Sequence, residues 1–146
     1  MADLTTLPHQ LDAKKATCRA IIETPKGCRN KFDYDPETNL FMLGGLLPEG
    51  MMFPFDFGFI PSTLGDDGDP LDILVLMDAP THSGCLIDVR LVGIITAEQT
   101  EDGKTEANDR LMGVARPLLP ARGHRHHRRR KQDAAFTGRG FLRLLQ

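Results

Sequence analysis

Apolar and polar residues alternate along most of the first 116 positions, in short runs broken by turn formers. Cys18 to Thr24 (CRAIIET), Asn30 to Asp35 (NKFDYD) and Asn39 to Gly44 (NLFMLG) read as strands separated by TPKG and DPETN. DPETN has the composition of a hairpin loop. LDILVLM, CLIDVRLVGIITAE and DRLMGVA continue the pattern, with Gly84 and TEDGKTEAN as breaks. About six strands with short connections predict a small closed barrel.

Between these runs, Phe53, Phe55, Phe57 and Phe59 recur every second residue in MMFPFDFGFIPSTLG. That period predicts one aromatic face of an extended segment packed on the core. Past Pro117 the periodicity disappears. PARGHRHHRRRKQD contains only Ala121 as an apolar residue besides its proline, so it reads as a solvated tail. AAFTGRGFLRLLQ is interrupted by Gly138 and Gly140 and supports no long amphipathic helix. The expected organisation is therefore a barrel domain over residues 1–116 and a basic tail over 117–146.

Charge sharpens that division. The net charge of −2 is the sum of 10 basic against 19 acidic residues up to Arg116, giving −9, and 8 against 1 beyond it, giving +7. No apolar run approaches the roughly 18 residues that span a bilayer, so no membrane partner is expected. MADLTTLPHQLDAKK lacks the features of a signal peptide, so the expected location is cytoplasmic. Cys18, Cys28 and Cys85 are odd in number and form no C-x-x-C pair, which reads as reduced core thiols. His124, His126 and His127 have no strong metal-ligand spacing.

The chemistry concentrates in GDDGDPLDILVL, where Asp66, Asp67, Asp69 and Asp72 precede an apolar strand. Asp67-Gly68 is a tight-turn dipeptide, and Pro70, which cannot join a ladder, marks an irregularity that would let Asp67, Asp69 and Asp72 converge. Clustered carboxylates raise one another's pKa unless a cation sits among them, and oxygen ligands without nearby His or Cys suit a hard divalent ion, Mg2+ first. An EF-hand is excluded: counted from Asp67, the sixth position is Asp72 where glycine is needed, and the twelfth is Asp78. No P-loop motif is present.

DGDPLDILV resembles the D-x-D-P-x-D signature of the soluble family I inorganic pyrophosphatases, and the likeness extends through IIETP, KFD, FPFDFGFIPSTLG, LVGII and NDRLMGVA. It covers roughly Arg19 to Arg116. The resemblance implies a mostly β fold of the α+β kind, a five-stranded OB-like barrel, hydrolysis of pyrophosphate to two phosphates with Mg2+, and a homo-oligomer. It also implies Asp67 and Asp72 as metal ligands, Asp69 as the carboxylate that orients and deprotonates the attacking water, and Lys31 as a substrate-binding lysine. Glu23 and Asp33 match acidic positions in the same cavity.

Several positions depart from the family. Gly45 stands at a phosphate-gripping arginine, and Phe57 at a tyrosine. Asn108 falls on a metal-binding aspartate, Glu98 or Gln99 near a second one, and Arg110 on a substrate-binding lysine. After Arg116 no segment matches the family's C-terminal helix, so the helical part is expected to be largely missing. A truncated or frame-shifted reading competes with an evolved basic tail, and the loss of periodicity favours the first. A weakened Mg2+-binding homologue is the second functional reading. A nucleic-acid-binding barrel ranks behind it, because clustered carboxylates repel phosphate.

Overall fold

The computed structural model describes residues 2–116. The basic segment 117–146, with its three histidines, lies outside the described residues. The strands are β1 (Thr17–Thr24), β2 (Asn30–Asp35), β3 (Leu40–Leu46), β4 (Asp56–Ile60), β5 (Leu71–Leu76), β6 (Leu86–Ile95), β7 (Glu98–Glu101), β8 (Lys104–Ala107) and β9 (Arg110–Ala115). Five of them close a barrel in the order β1-β4-β5-β9-β6, as the pattern of short strands predicts.

Two departures from the sequence reading matter. NKFDYD and NLFMLG form strands, but these pair only with each other, as a β2-β3 hairpin laid against the barrel. TEDGKTEAN, read as a break, carries most of the β7-β8 hairpin. Alternation reports that a segment has two faces; it does not report which sheet the segment joins.

The barrel interior is filled by Ala20, Ile22, Ile60, Ile73, Val75, Val89, Leu91 and Leu111. Successive strand residues point to opposite faces, so their neighbours Ile21, Phe59, Asp72 and Arg110 stand on the outer wall. There Ile21, Phe59 and Tyr34 form a second small core beneath the hairpin, joined by Phe41 and by Leu4 and Leu7. The aromatic period is real, yet Phe59 packs under the hairpin and not inside the barrel. β4 is buried along its whole length. Gly58 allows this, because a Cβ there would run into the backbone of Ile21 and Ile22 on β1.

Asp56, at the start of β4, is fully buried. Its carboxylate accepts from Lys26 N at 2.7 Å, Thr81 N at 3.0 Å and Thr81 Oγ1 at 2.6 Å, tying two loops to the barrel. Among the described residues, the helical content is the 3-10 turn Leu4–Thr6, and no helix is long and apolar enough to cross a membrane.

Candidate active site

The outer wall of the barrel, beside the hairpin and the β4-β5 loop, carries a group of interacting charged side chains placed by different strands. Glu23 stands next to buried Thr24, the last residue of β1. Thr24 Oγ1 accepts from Phe32 N at 2.8 Å and donates to Phe32 O at 3.0 Å, and Glu23 Oε1 accepts from Tyr34 N at 2.7 Å. These bonds fasten β2 along β1 and so set the position of Lys31 and Asp33. Two residues apart on β2, those side chains share a face, and Lys31 Nζ lies 2.8 Å from Asp33 Oδ1.

Asp72 is on β5 opposite Phe59, and β5 runs parallel to β9 with Ile73 against Leu111. That register puts Asp72 beside Arg110, with Arg110 Nε 3.5 Å from Asp72 Oδ2. Nε itself is buried and makes no hydrogen bond, and the guanidinium acts on Asp72 chiefly by its charge. The guanidinium also lies over the Phe57 ring, 5.5 Å from its centroid.

The β4-β5 loop is a folded turn. Gly65 N donates to Asp69 O at 2.6 Å and Gly68 N to Gly65 O at 3.1 Å, while Gly68 takes φ +90. Asp69 N donates to Asp67 Oδ1 at 3.0 Å, so one carboxylate braces the turn that carries the next. Thr63 Oγ1 closes the loop, accepting from Leu71 N at 2.9 Å and donating to Ile60 O. A cavity of about 290 Å3 lies against it, lined in part by Asp66, Asp67, Asp72, Asn108 and Asp109.

Charge couples these groups. Burial pushes the Glu23 carboxyl up to about 7 against the pull of the Tyr34 N–H; Asp33 and Asp72 push it further and Lys31 opposes them. Burial likewise raises Asp72, opposed by Arg110 and Lys31 and reinforced by Asp67. Glu23, Lys31, Asp33, Asp67, Asp72 and Arg110 thus form one electrostatic neighbourhood drawn from four strands and a loop.

The other candidate residues lie around it. Asp69 is exposed on the turn, outside the cavity lining, and Glu98 is exposed at the start of β7. Asn108 lines the cavity, and its N–H donates to Ala97 O at 2.7 Å. Gly45 sits across from Lys31 in the hairpin. Among the described residues no three His, Cys, Asp or Glu side chains group closely enough to cage a metal ion. The donor set is nevertheless all oxygen, and a divalent cation would relieve the burial and repulsion that raise Glu23 and Asp72. It fits an ion such as Mg2+, which keeps its waters and binds through one or two carboxylates.

Asp109, which the sequence offers beside Glu98 as a substitute for the missing aspartate, lines the cavity, and the cation–π contact of Phe57 with Arg110 escaped the motif reading. The acidic character of NDR was visible in the sequence; its closeness to Asp67 was not.

A closed five-stranded barrel with carboxylates and cations on one outer face defines an OB-like domain suited to polyanion and cation chemistry. The inorganic pyrophosphatase family model matches residues 20–129, and the chain belongs to that family. It is 44% identical over 93 residues to an inorganic pyrophosphatase of Synechocystis sp., covering 64% of this chain and 54% of the relative. It is 43% identical over 103 residues to that of Thermus thermophilus, covering 70% and 58%. The chain thus spans little more than half the length of these curated relatives. The crystal structure of the Thermus thermophilus inorganic pyrophosphatase superposes with a TM-score of 0.67 at 38% identity, over 77% of this chain and 62% of that one. That of Neisseria gonorrhoeae gives 0.69 at 27% identity, over 77% and 63%.

Proposed function

We propose that this chain hydrolyses inorganic pyrophosphate to two phosphates with Mg2+ as cofactor. The observation that carries the reading is the shared site of half-buried Glu23 and Asp72, both raised by desolvation and by neighbouring carboxylates, with Lys31 and Arg110, in a chain of this family. Carboxylates by themselves repel a polyanion, so cations must reverse the local field before substrate enters. Asp67 and Asp72 would hold Mg2+, with Glu23, Asp33, Glu98 and Asn108 in supporting positions. Mg2+ held there supplies positive charge against the polyanion and makes water easier to deprotonate.

The chain's own residues do the rest. Lys31 and Arg110 bind phosphate oxygens, Lys31 as a point charge and Arg110 as a planar fork. Asp69 orients the attacking water and takes its proton as the new O–P bond forms and the bridging P–O bond breaks. All three cysteines are free, which supports a reducing compartment and hence the cytoplasm.

The deciding experiment is phosphate release from pyrophosphate with Mg2+, comparing the full chain with Asp69→Asn and Asp72→Asn. Release by the full chain that both variants abolish is the expected result. Equal release by all three, or none above buffer, overturns the reading. The second reading, a weakened Mg2+-binding homologue, draws on Gly45, which offers no side chain opposite Lys31, and on the missing hydroxyl of Phe57. It predicts Mg2+ binding that depends on Asp72 without phosphate release.

A further inference from the structure

One short segment near the start of the chain, residues 3–7, bonds to both the β2-β3 hairpin and the β4-β5 loop. Asp3 caps the 3-10 turn Leu4–Thr6, accepting from Thr5 N at 2.9 Å and from Thr5 Oγ1 at 2.7 Å. On one side of the turn, Leu4 N donates to the hydroxyl of Tyr34 at 2.9 Å, and that hydroxyl donates to Asn39 Oδ1 at 2.9 Å. Leu4 and Leu7 pack there on Ile21, Tyr34 and Phe59. On the other side, Ser62 N donates to Thr5 O at 2.6 Å and Ser62 Oγ to Leu7 O at 2.8 Å.

The two contacts fall next to the site. Tyr34 follows Asp33 on β2, and the bonds that join this strand to β1 come from its own N–H and that of Phe32. Ser62 precedes Thr63, whose hydroxyl closes the loop that carries Asp67 and Asp69. Asn39 at φ +58 and Ser62 at φ +54 take left-handed backbone. Residues other than glycine keep that conformation only where surrounding contacts hold them, and here the contacts are those made with Tyr34 and with the N-terminal turn.

We propose that Tyr34 and Ser62 are positioning residues, which act through the N-terminal turn to hold the hairpin arm and the loop arm of the site in a fixed relation. In the proposed hydrolysis, on which this role rests, Lys31 on the hairpin grips pyrophosphate and Asp67 on the loop holds Mg2+. The turn therefore ties the substrate side of the site to the metal side. Each side has its own hydroxyl to lose. Tyr34→Phe removes the one that meets Leu4 and Asn39 and leaves the ring against Phe41 and Phe59. Ser62→Gly removes the bond to Leu7 O and tolerates the positive φ.

The test compares the full chain with these two variants and with Thr38→Ala, whose hydroxyl bonds within the hairpin to Asp35 and not to the turn. Tyr34→Phe is expected to raise KM for pyrophosphate about fivefold, the equivalent of one hydrogen bond, with kcat and Mg2+ affinity near wild type. Ser62→Gly is expected to weaken Mg2+ binding about fivefold in calorimetry without substrate, and to leave KM at saturating Mg2+ near wild type. Thr38→Ala is expected to change neither. Amide exchange supplies a readout that needs no activity. Tyr34→Phe is expected to speed exchange at Phe32 and Tyr34, and Ser62→Gly at Gly65 and Leu71, while Val75 and Val89 in the barrel exchange as in wild type. Absence of phosphate release by wild type counts against the proposed hydrolysis alone, and exchange then decides the positioning role. Unchanged exchange at the hairpin and loop amides overturns that role, as does equal acceleration throughout the barrel, which marks a general loss of stability. KM and Mg2+ affinity moving together in both variants overturns it too.

Discussion

Arg110 and Asp72 face each other at 3.5 Å across two parallel strands, the guanidinium Nε buried and without a hydrogen bond. The contact gives Asp72 a protein-borne counter-ion in the place where the proposed function needs a metal. A divalent cation bound at Asp72 would compete with this guanidinium for the same carboxylate.

Removing Arg110 exposes that competition. In Arg110→Gln the Asp72 carboxyl is expected to titrate higher than in wild type, because the guanidinium that lowers it is gone. Mg2+ is expected to bind several-fold more tightly, while Asp72→Asn binds it more weakly than either. Carboxyl NMR titration reads the first effect and calorimetry without substrate the second. Weaker Mg2+ binding by Arg110→Gln would show that the pair is not competitive.

Glu23 makes stability pH-dependent. Its folded pKa of about 7 stands above the ordinary 4.5, so the native state binds the proton more tightly than the unfolded chain. The associated stability is full below about 4.5 and lost as pH rises through about 7, amounting to at most about 3 kcal/mol. Asp72, also raised, acts in the same direction. Asp3, Asp12 and Asp35, lowered chiefly by hydrogen bonds from Thr5, Lys15 and Thr38, act below 3.8 and leave this window clear. Thermal melts from pH 4.5 to 8 without divalent metal are expected to show a falling midpoint in wild type and a flatter profile in Glu23→Gln.

Asp56 is a stability residue. Replacing it with alanine strands Lys26 N, Thr81 N and Thr81 Oγ1 in the interior, and bonds to a charged group contribute about 1.5–3 kcal/mol each. Asp56→Ala is expected to lose about 3 kcal/mol in urea unfolding, whereas exposed Glu37→Ala stays near wild type.

Gly45 and Gly44 separate recovery of function from collapse. A Cβ at Gly45 meets Lys31 Cβ at 3.9 Å, an ordinary contact, while one at Gly44 falls on the Asp33 carboxylate. Gly45→Arg is expected to raise phosphate release about tenfold through one charge-assisted bond in the transition state. Gly44→Arg is expected to misfold or lose activity. Parallel release assays and melts distinguish the two, and no gain with Gly45→Arg rejects a phosphate contact there.

The sequence by itself determined much of this protein. Alternating apolar residues define strands such as LDILVLM and CRAIIET wherever they pair, because burying one face of a strand depends on a local period of two. The D-x-D-P-x-D spacing likewise needs no partner to be recognised, and it pointed to the family and to the loop that holds Asp67. Only the tertiary structure decided that NKFDYD and NLFMLG leave the barrel as a hairpin, since their pattern suits either sheet. It also decided that Phe59 packs outside the barrel, that Asp72 lies beside Arg110 through the parallel register of β5 and β9, and that Glu23 is half-buried against β2, where it accepts from Tyr34 N. Each of these is a contact between residues far apart in the chain. A local period carries the orientation of a side chain; the charge and burial it meets there are set by whichever distant strand arrives against it.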